Sequence, residues 1–229
     1  MEIIFLGQAG LLFRKGDFKI LIDPYLSNSV EKVNPQNYRR VAVDESFFHI
    51  KPDIMIFTHD HLDHYDPETV EKFLMTSERA ITVLSPSSVW NKVRAFGGDH
   101  NYILFDRHTE WTVGGICFLA VKAQHSDPCA IGVILEDLSE NKKYYVTGDT
   151  LYNSEIFDDI PKDIHALFLP INGVGNNMNA HDASRFAKRI GAQITVPLHF
   201  GMFDELTPDI FTVKNTVVPE IYKKINIKD

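Results

Sequence analysis

The stretch Asp53-Ile54-Met55-Ile56-Phe57-Thr58-His59-Asp60-His61-Leu62-Asp63-His64 passes directly from an apolar run into a cluster of ligating side chains. Asp53–Phe57 reads as a short buried strand. Three histidines and two aspartates then fall within the six positions 59–64. His59 and His61, two residues apart, can project together from an extended turn. Asp63 and His64, one tight turn later, can address a second point nearby. Imidazole nitrogens and carboxylate oxygens are the ligands of zinc, manganese and iron. A histidine-rich polar loop is the plainer alternative, and the residues farther along decide against it.

Those residues stand at strand ends. His125 follows the apolar run Ile116–Ala123. Asp149 follows Tyr144–Thr147 within Thr147-Gly148-Asp149-Thr150, and His199 closes Ile194–Leu198. A single histidine after a strand is ordinarily a hydrogen-bonded surface or core residue, and Gly148-Asp149 alone would be a turn. Polar residues on successive strand ends at one sheet edge are nevertheless how α/β enzymes assemble sites. With the first cluster they make five imidazoles and two carboxylates, enough for two metals.

Outward from these segments, short apolar runs recur between turn signals. Strands are predicted at Glu2–Leu6, Leu11–Arg14, Phe18–Ile22, Ile81–Leu84, Tyr102–Phe105, Ala130–Glu136 and Ala166–Pro170. Helices are predicted at Pro67–Thr76, capped by Asp66, at Ser87–Phe96 before Gly97-Gly98, and at Ala180–Ile190. In the last, Ala183, Phe186, Ala187 and Ile190 share one face. Residues 27–52 form a polar, irregular stretch too long for an idle connector, which predicts an active-site flap. Paired strands interrupted by few helices predict one α/β domain over residues 1–229, with two packed sheets and helices outside.

The 229 residues suffice to bury roughly 70% of the unfolded surface without disulfide staples. Lys+Arg 23 against Asp+Glu 31 gives a net charge of −8, which excludes a general nucleic-acid or anionic-membrane binder. Cys117 and Cys129 lack metal spacing and fit a reducing compartment. Ile3–Leu6 is too short for a secretory h-region, and no apolar run reaches eighteen residues, so a soluble cytoplasmic protein is expected.

His59-x-His61-x-Asp63-His64, followed by the distant His125, Asp149 and His199, resembles the signature of the metallo-β-lactamase superfamily over nearly the whole chain. The resemblance implies a four-layer αββα sandwich. It also implies His59, His61 and His125 on one metal, Asp63, His64 and His199 on a second, and Asp149 between them. Narrower likeness is to the L-ascorbate-6-phosphate lactonase branch, through Ala9-Gly10-Leu11, Tyr65-Asp66, Leu151-Tyr152, Asn176-Asn177-Met178-Asn179-Ala180 and Val196-Pro197-Leu198-His199-Phe200. This branch implies self-association and places an arginine near Arg39. His61, where flavodiiron enzymes carry glutamate, argues against redox chemistry. Asp149, where true β-lactamases carry cysteine, argues against antibiotic hydrolysis.

The expected activity is a dinuclear metal-dependent hydrolase, with zinc first and manganese or iron where supply favours them. The expected substrate is a small polar, phosphorylated or unphosphorylated, lactone or ester. A phosphodiesterase acting on small phosphodiesters and a non-enzymatic metal-binding scaffold are the alternatives. Asp63 is the candidate to orient or deprotonate the nucleophile, and His181 to protonate the leaving group. Arg39, beside Arg40 in the flap, with Asn176 and Asn177 ahead of the late helix, are the candidates for substrate binding.

Overall fold

A computed structural model describes residues 1–227. Six strands form the first sheet: β1 (Glu2–Gly7), β2 (Gly10–Lys15), β3 (Phe18–Ile22), β4 (Ile54–Ile56), β5 (Thr82–Ser85) and β6 (Asn101–Leu104), in that spatial order. The second sheet holds β7 (Glu110–Val113), β8 (Ile116–Lys122), β9 (Ile131–Asp137), β10 (Lys142–Val146), β11 (Ile164–Pro170) and β12 (Ile194–Leu198). Each sheet is antiparallel over one half and parallel over the other: β3 to β6 run parallel, as do β10 to β12. Among the described residues the α-helices are α1 (Ser29–Val33), α2 (Pro67–Thr76), α3 (Ser87–Val93) and α4 (Ala180–Ile190).

The alternation of the strands explains the layering. One side chain set, including Phe5, Phe13, Ile20, Ile56, Phe118, Val133, Val146 and Phe168, meets between the sheets. There Phe13 packs edge-on against Tyr144 and Phe168, at 5.9 and 5.8 Å between ring centroids. The opposite face of the first sheet, with Leu21, Met55 and Val83, is covered by Val70, Phe73 and Leu74 of α2 and Val89 and Val93 of α3. The outer face of the second, with Tyr145, Leu167 and Leu169, is covered by Ala183, Phe186 and Ala187 of α4. This is the expected αββα sandwich.

Helices α2 and α4 run over the residues that their patterns predict. Asp66 caps α2 by accepting from Glu68 N, and Asn179 caps α4 by accepting from Asp182 N. The α3 prediction was longer: its last turn, 94–96, tightens to a 3₁₀ helix before Gly97. Strand β7 escaped the sequence reading because its residues are half exposed and carry no continuous apolar run. Residues 27–52 contain α1 and a 3₁₀ turn at Glu45–His49 and are otherwise irregular. Among the described residues no helix is long and apolar enough to cross a membrane.

One ion pair ties the sheets together. Lys15 Nζ on β2 lies 2.6 Å from Asp137 Oδ1 at the end of β9, which also accepts from Ser139 N and Oγ. Burial opposes ionisation of Asp137, but Lys15 and the Ser139 donors outweigh it and hold its carboxyl at about 2, below the ordinary 3.8. Because the folded value is depressed, the stabilisation is full above about pH 4 and disappears as pH falls toward 2. It amounts to about 2 kcal/mol. Urea unfolding at pH 6 and at pH 2.5 should show the wild type losing about that much more stability than Asp137→Asn; equal losses would mean that the pair does not stabilise the fold.

Candidate metal centre

The site forms where strands of both sheets end at the same edge. Strand β4 delivers Thr58–His64, β8 leads to His125, β10 to Asp149 and β12 to His199. The 58–64 segment turns on itself: His64 N and Tyr65 N both donate to His61 O. Asp149 is reached through Gly148, at φ +60°. A Cβ at position 148 would stand 2.8 Å from Ile131 O and 2.9 Å from Thr58 Cβ, so only glycine fits. His199 and Gln8 both adopt left-handed backbone, at φ +64° and +54°, and His199 N donates to Gln8 O at 2.8 Å.

All seven candidate ligands meet. His59, His61, His125 and Asp149 offer ligand atoms within 4.8 Å of one another, and so do Asp63, His64 and His199. Asp149 joins the groups: its Oδ1 lies 3.2 Å from both His64 Nε2 and His199 Nε2, and its Oδ2 4.0 Å from His125 Nε2.

The donor chemistry fits divalent cations. Thr58 Oγ1 donates to Asp23 Oδ2, so toward His59 Nδ1 it is the acceptor; that leaves a lone pair on His59 Nε2, which is buried without a partner. His125 Nδ1 donates to Asn176 O, leaving its Nε2 lone pair 3.1 Å from His61 Nδ1. His64 Nδ1 donates to Asp23 Oδ2, leaving its Nε2 3.3 Å from His199 Nε2. Lone pairs facing one another in a buried space repel unless a cation or protons lie between them. Asp149 Oδ1 makes no hydrogen bond with the two ring nitrogens nearby, the arrangement of a carboxylate aimed at a common point.

Electrostatics agree with that geometry. Burial, reinforced by His64, drives His59 well below its ordinary pKa, and burial lowers His125, so both are neutral donors at pH 7. For His64 burial works the other way from the net result: Asp149, Asp63 and Asp23 together hold it well above the usual value. His199 is likewise raised to about 9, against burial, by Asp149 and Asp63. Burial would raise Asp63 and Asp149, yet both are lowered by His64 and His199. Without a cation, protons on these rings balance the carboxylates; a divalent ion supplies the same charge.

Behind the ligands stand residues that the sequence reading missed. Asp23, fully buried after β3, accepts from Thr58 N at 2.8 Å, Thr58 Oγ1 at 2.6 Å and His64 Nδ1 at 2.8 Å. Gln8 Nε2 donates to Asp63 Oδ2 at 2.8 Å and stands 3.0 Å from His199 Nδ1. Asp127 accepts from Asp60 N and Ser88 Oγ, bracing the ligand loop against α3. The available signal for Asp23 was a lone carboxylate closing an apolar strand.

A cavity of about 330 Å³ opens over His61, Asp63, Asp149 and His199. The 27–52 stretch reaches it through Val30 and Asn37. Asn177 lines it and donates from Nδ2 to Asp149 Oδ2 at 2.7 Å. Asn176 contributes through its backbone carbonyl, which receives the His125 proton. Two other expected residues are not brought here. Arg39 is bound to Tyr25 O, Val41 O and Tyr222 Oη, packs over the Tyr25 ring and does not line this cavity. His181, with a side chain 82% exposed on the first turn of α4, faces a separate surface cavity beside Arg185 and Lys188. A larger cavity, about 480 Å³, lies beyond His125 but touches none of the other six ligands.

Comparison with known proteins gives the same picture. The profile of the beta-lactamase superfamily domain matches residues 19–200. The chain is 25% identical over 216 residues to a UPF0173 protein of Pyrococcus furiosus, covering 92% of this chain and 89% of that one. It is 27% identical over 235 residues to a UPF0173 metal-dependent hydrolase of Staphylococcus saprophyticus, covering 95% and 93%. Igni18, a metallo hydrolase of Ignicoccus hospitalis, shares the fold with a TM-score of 0.78 at 18% identity, over 97% of this chain and 96% of that one.

Proposed function

The chain belongs to the beta-lactamase superfamily, and from that premise we propose that it is a hydrolase holding two divalent metals and acting on a small lactone or ester. The observation that carries this reading is the convergence of seven candidate ligands in two groups joined by Asp149, four of which line a cavity of about 330 Å³. Its UPF0173 relative named a metal-dependent hydrolase supports it. A complete ligand set argues against a scaffold that has lost activity.

Metals bound there would polarise the attacked carbonyl and make water nucleophilic near neutral pH. The protein's own part follows from the contacts. His59, His61 and His125 fix one group, while Asp63, His64 and His199 fix the other. Asp63, held by Gln8 Nε2, presents a carboxylate at the cavity floor able to orient a water and take its proton. Asn177 fixes the bridging carboxylate, and Asp23 fixes His64.

The test is metal content, by mass spectrometry of protein purified without chelator, paired with lactone and ester hydrolysis. About two metals per chain are expected. His61→Ala should lower that number and reduce turnover together with it. Wild-type protein that holds no metal, and gains no activity from added zinc or manganese, would defeat the proposal.

A further inference from the structure

Among the described residues, neither lysine nor arginine lines the cavity over the candidate centre. Above the ligands its wall is neutral or acidic. Asn37, Asn172 and Asn177 contribute amides, Val174 and Phe203 apolar surface, and Asp204 a carboxylate at the mouth. Asn177 is buried and spent on Asp149, so the groups of this wall open to a ligand are the exposed Asn37 amide and the exposed Asp204 carboxylate. Arg40, close by in sequence to the lining Asn37, is paired with Glu205 at 3.2 Å. In the neighbouring larger cavity, Arg107 is held by Asp159 through two hydrogen bonds and Lys122 is paired with Glu155.

We infer that this site takes a small ester or lactone whose far end is a hydrogen-bond donor, cationic or uncharged, and that it rejects substrates with an anionic far end. The inference rests on the hydrolase reading for its chemistry, but the recognition argument concerns the cavity wall. A phosphate or carboxylate away from the reacting carbonyl would meet the Asp204 carboxylate and only neutral amide N–H donors such as that of Asn37, with no guanidinium or ammonium to replace its water. A terminal ammonium, hydroxyl or amide N–H would find partners there. The net charge of −8 acts in the same direction at longer range.

Three 4-nitrophenyl esters of matched length test this: the 6-aminohexanoate, the heptanoate and the adipate monoester. Each hydrolysis consumes one water. Its oxygen joins the acyl carbon, the acyl–oxygen bond breaks, and its protons end on the acid and the nitrophenol. With metal-loaded protein, kcat/KM should fall in the order aminohexanoate, heptanoate, adipate, with about tenfold or more between the extremes at low salt. Asp204→Lys should shrink or reverse the order. Calorimetric binding of the corresponding 4-nitroanilides, which resist hydrolysis, supplies a second readout. Adipate turned over or bound as well as the aminohexanoate compound, or anilides bound without order, would overturn the inference. No ester turned over while the anilides keep the order would overturn the hydrolase reading and leave the cavity assignment standing.

Discussion

Asp63→Asn is expected to lower turnover by about 10²- to 10⁴-fold at saturating metal, the usual range for loss of a positioned general base. Asparagine keeps the size of the side chain and can still accept from Gln8 Nε2, so the local packing survives. It cannot take a proton from water, and it offers the second ligand group a neutral oxygen in place of a carboxylate. Asp63 and Asp149 face both His64 and His199, while Asp23 faces His64 alone, so the change removes one of the charges shared by the two rings. Steady-state kinetics at several metal concentrations separate the two effects: excess metal restores occupancy but not proton transfer. Near-wild-type turnover with metal in excess would remove Asp63 from the chemistry.

Asp23→Ala should produce the largest loss of stability of any single change at the site, about 3–5 kcal/mol. The carboxylate is fully buried and is the common acceptor for Thr58 N, Thr58 Oγ1 and His64 Nδ1. Truncation leaves those donors without partners. It also places alanine at φ +44°, a conformation disfavoured for any residue with a Cβ. Because Asp23 sets which nitrogen of His64 carries the proton, metal affinity should fall about 10- to 100-fold as well. Urea unfolding of chelator-treated protein reads the first effect, and zinc titration against a competing chelator the second. Asp23→Asn, which preserves an acceptor oxygen and the shape, should lose less of both. Wild-type zinc affinity in a folded Asp23→Ala protein would show that the contact does not orient His64.

The ligand set could be found in the sequence because each member is marked by its immediate neighbours. His125, Asp149 and His199 follow apolar runs, and His59–His64 follow Asp53–Phe57. Strand periodicity is local, so a strand end is visible without knowing what lies beside it. Helices α2 and α4 were readable for the same reason, through a cap and an apolar face. Strand β7 was not, since an edge strand with a half-exposed pattern needs little apolar sequence.

Arg39 and His181 show where local marking stops. Both have suitable side chains near suitable segments. Yet Arg39 is bound to Tyr25, Val41 and Tyr222, and His181 lines another cavity with Arg185 and Lys188. Which partner a guanidinium or imidazole finds is decided by packing, not by residue type.

The sequence by itself determined the sandwich, the order of its main elements and the seven candidate ligand side chains at one sheet edge, because hydrophobic period and residue type are carried along the chain. Only the tertiary structure decided that Asp23 and Gln8 stand behind those residues, and that neither lysine nor arginine lines the cavity above them. Gln8 and His199 are 191 positions apart, and Asp23 and His64 are 41 apart. Contacts over such separations exist only once two sheets have packed and their ends have been brought together, so no local pattern announces them.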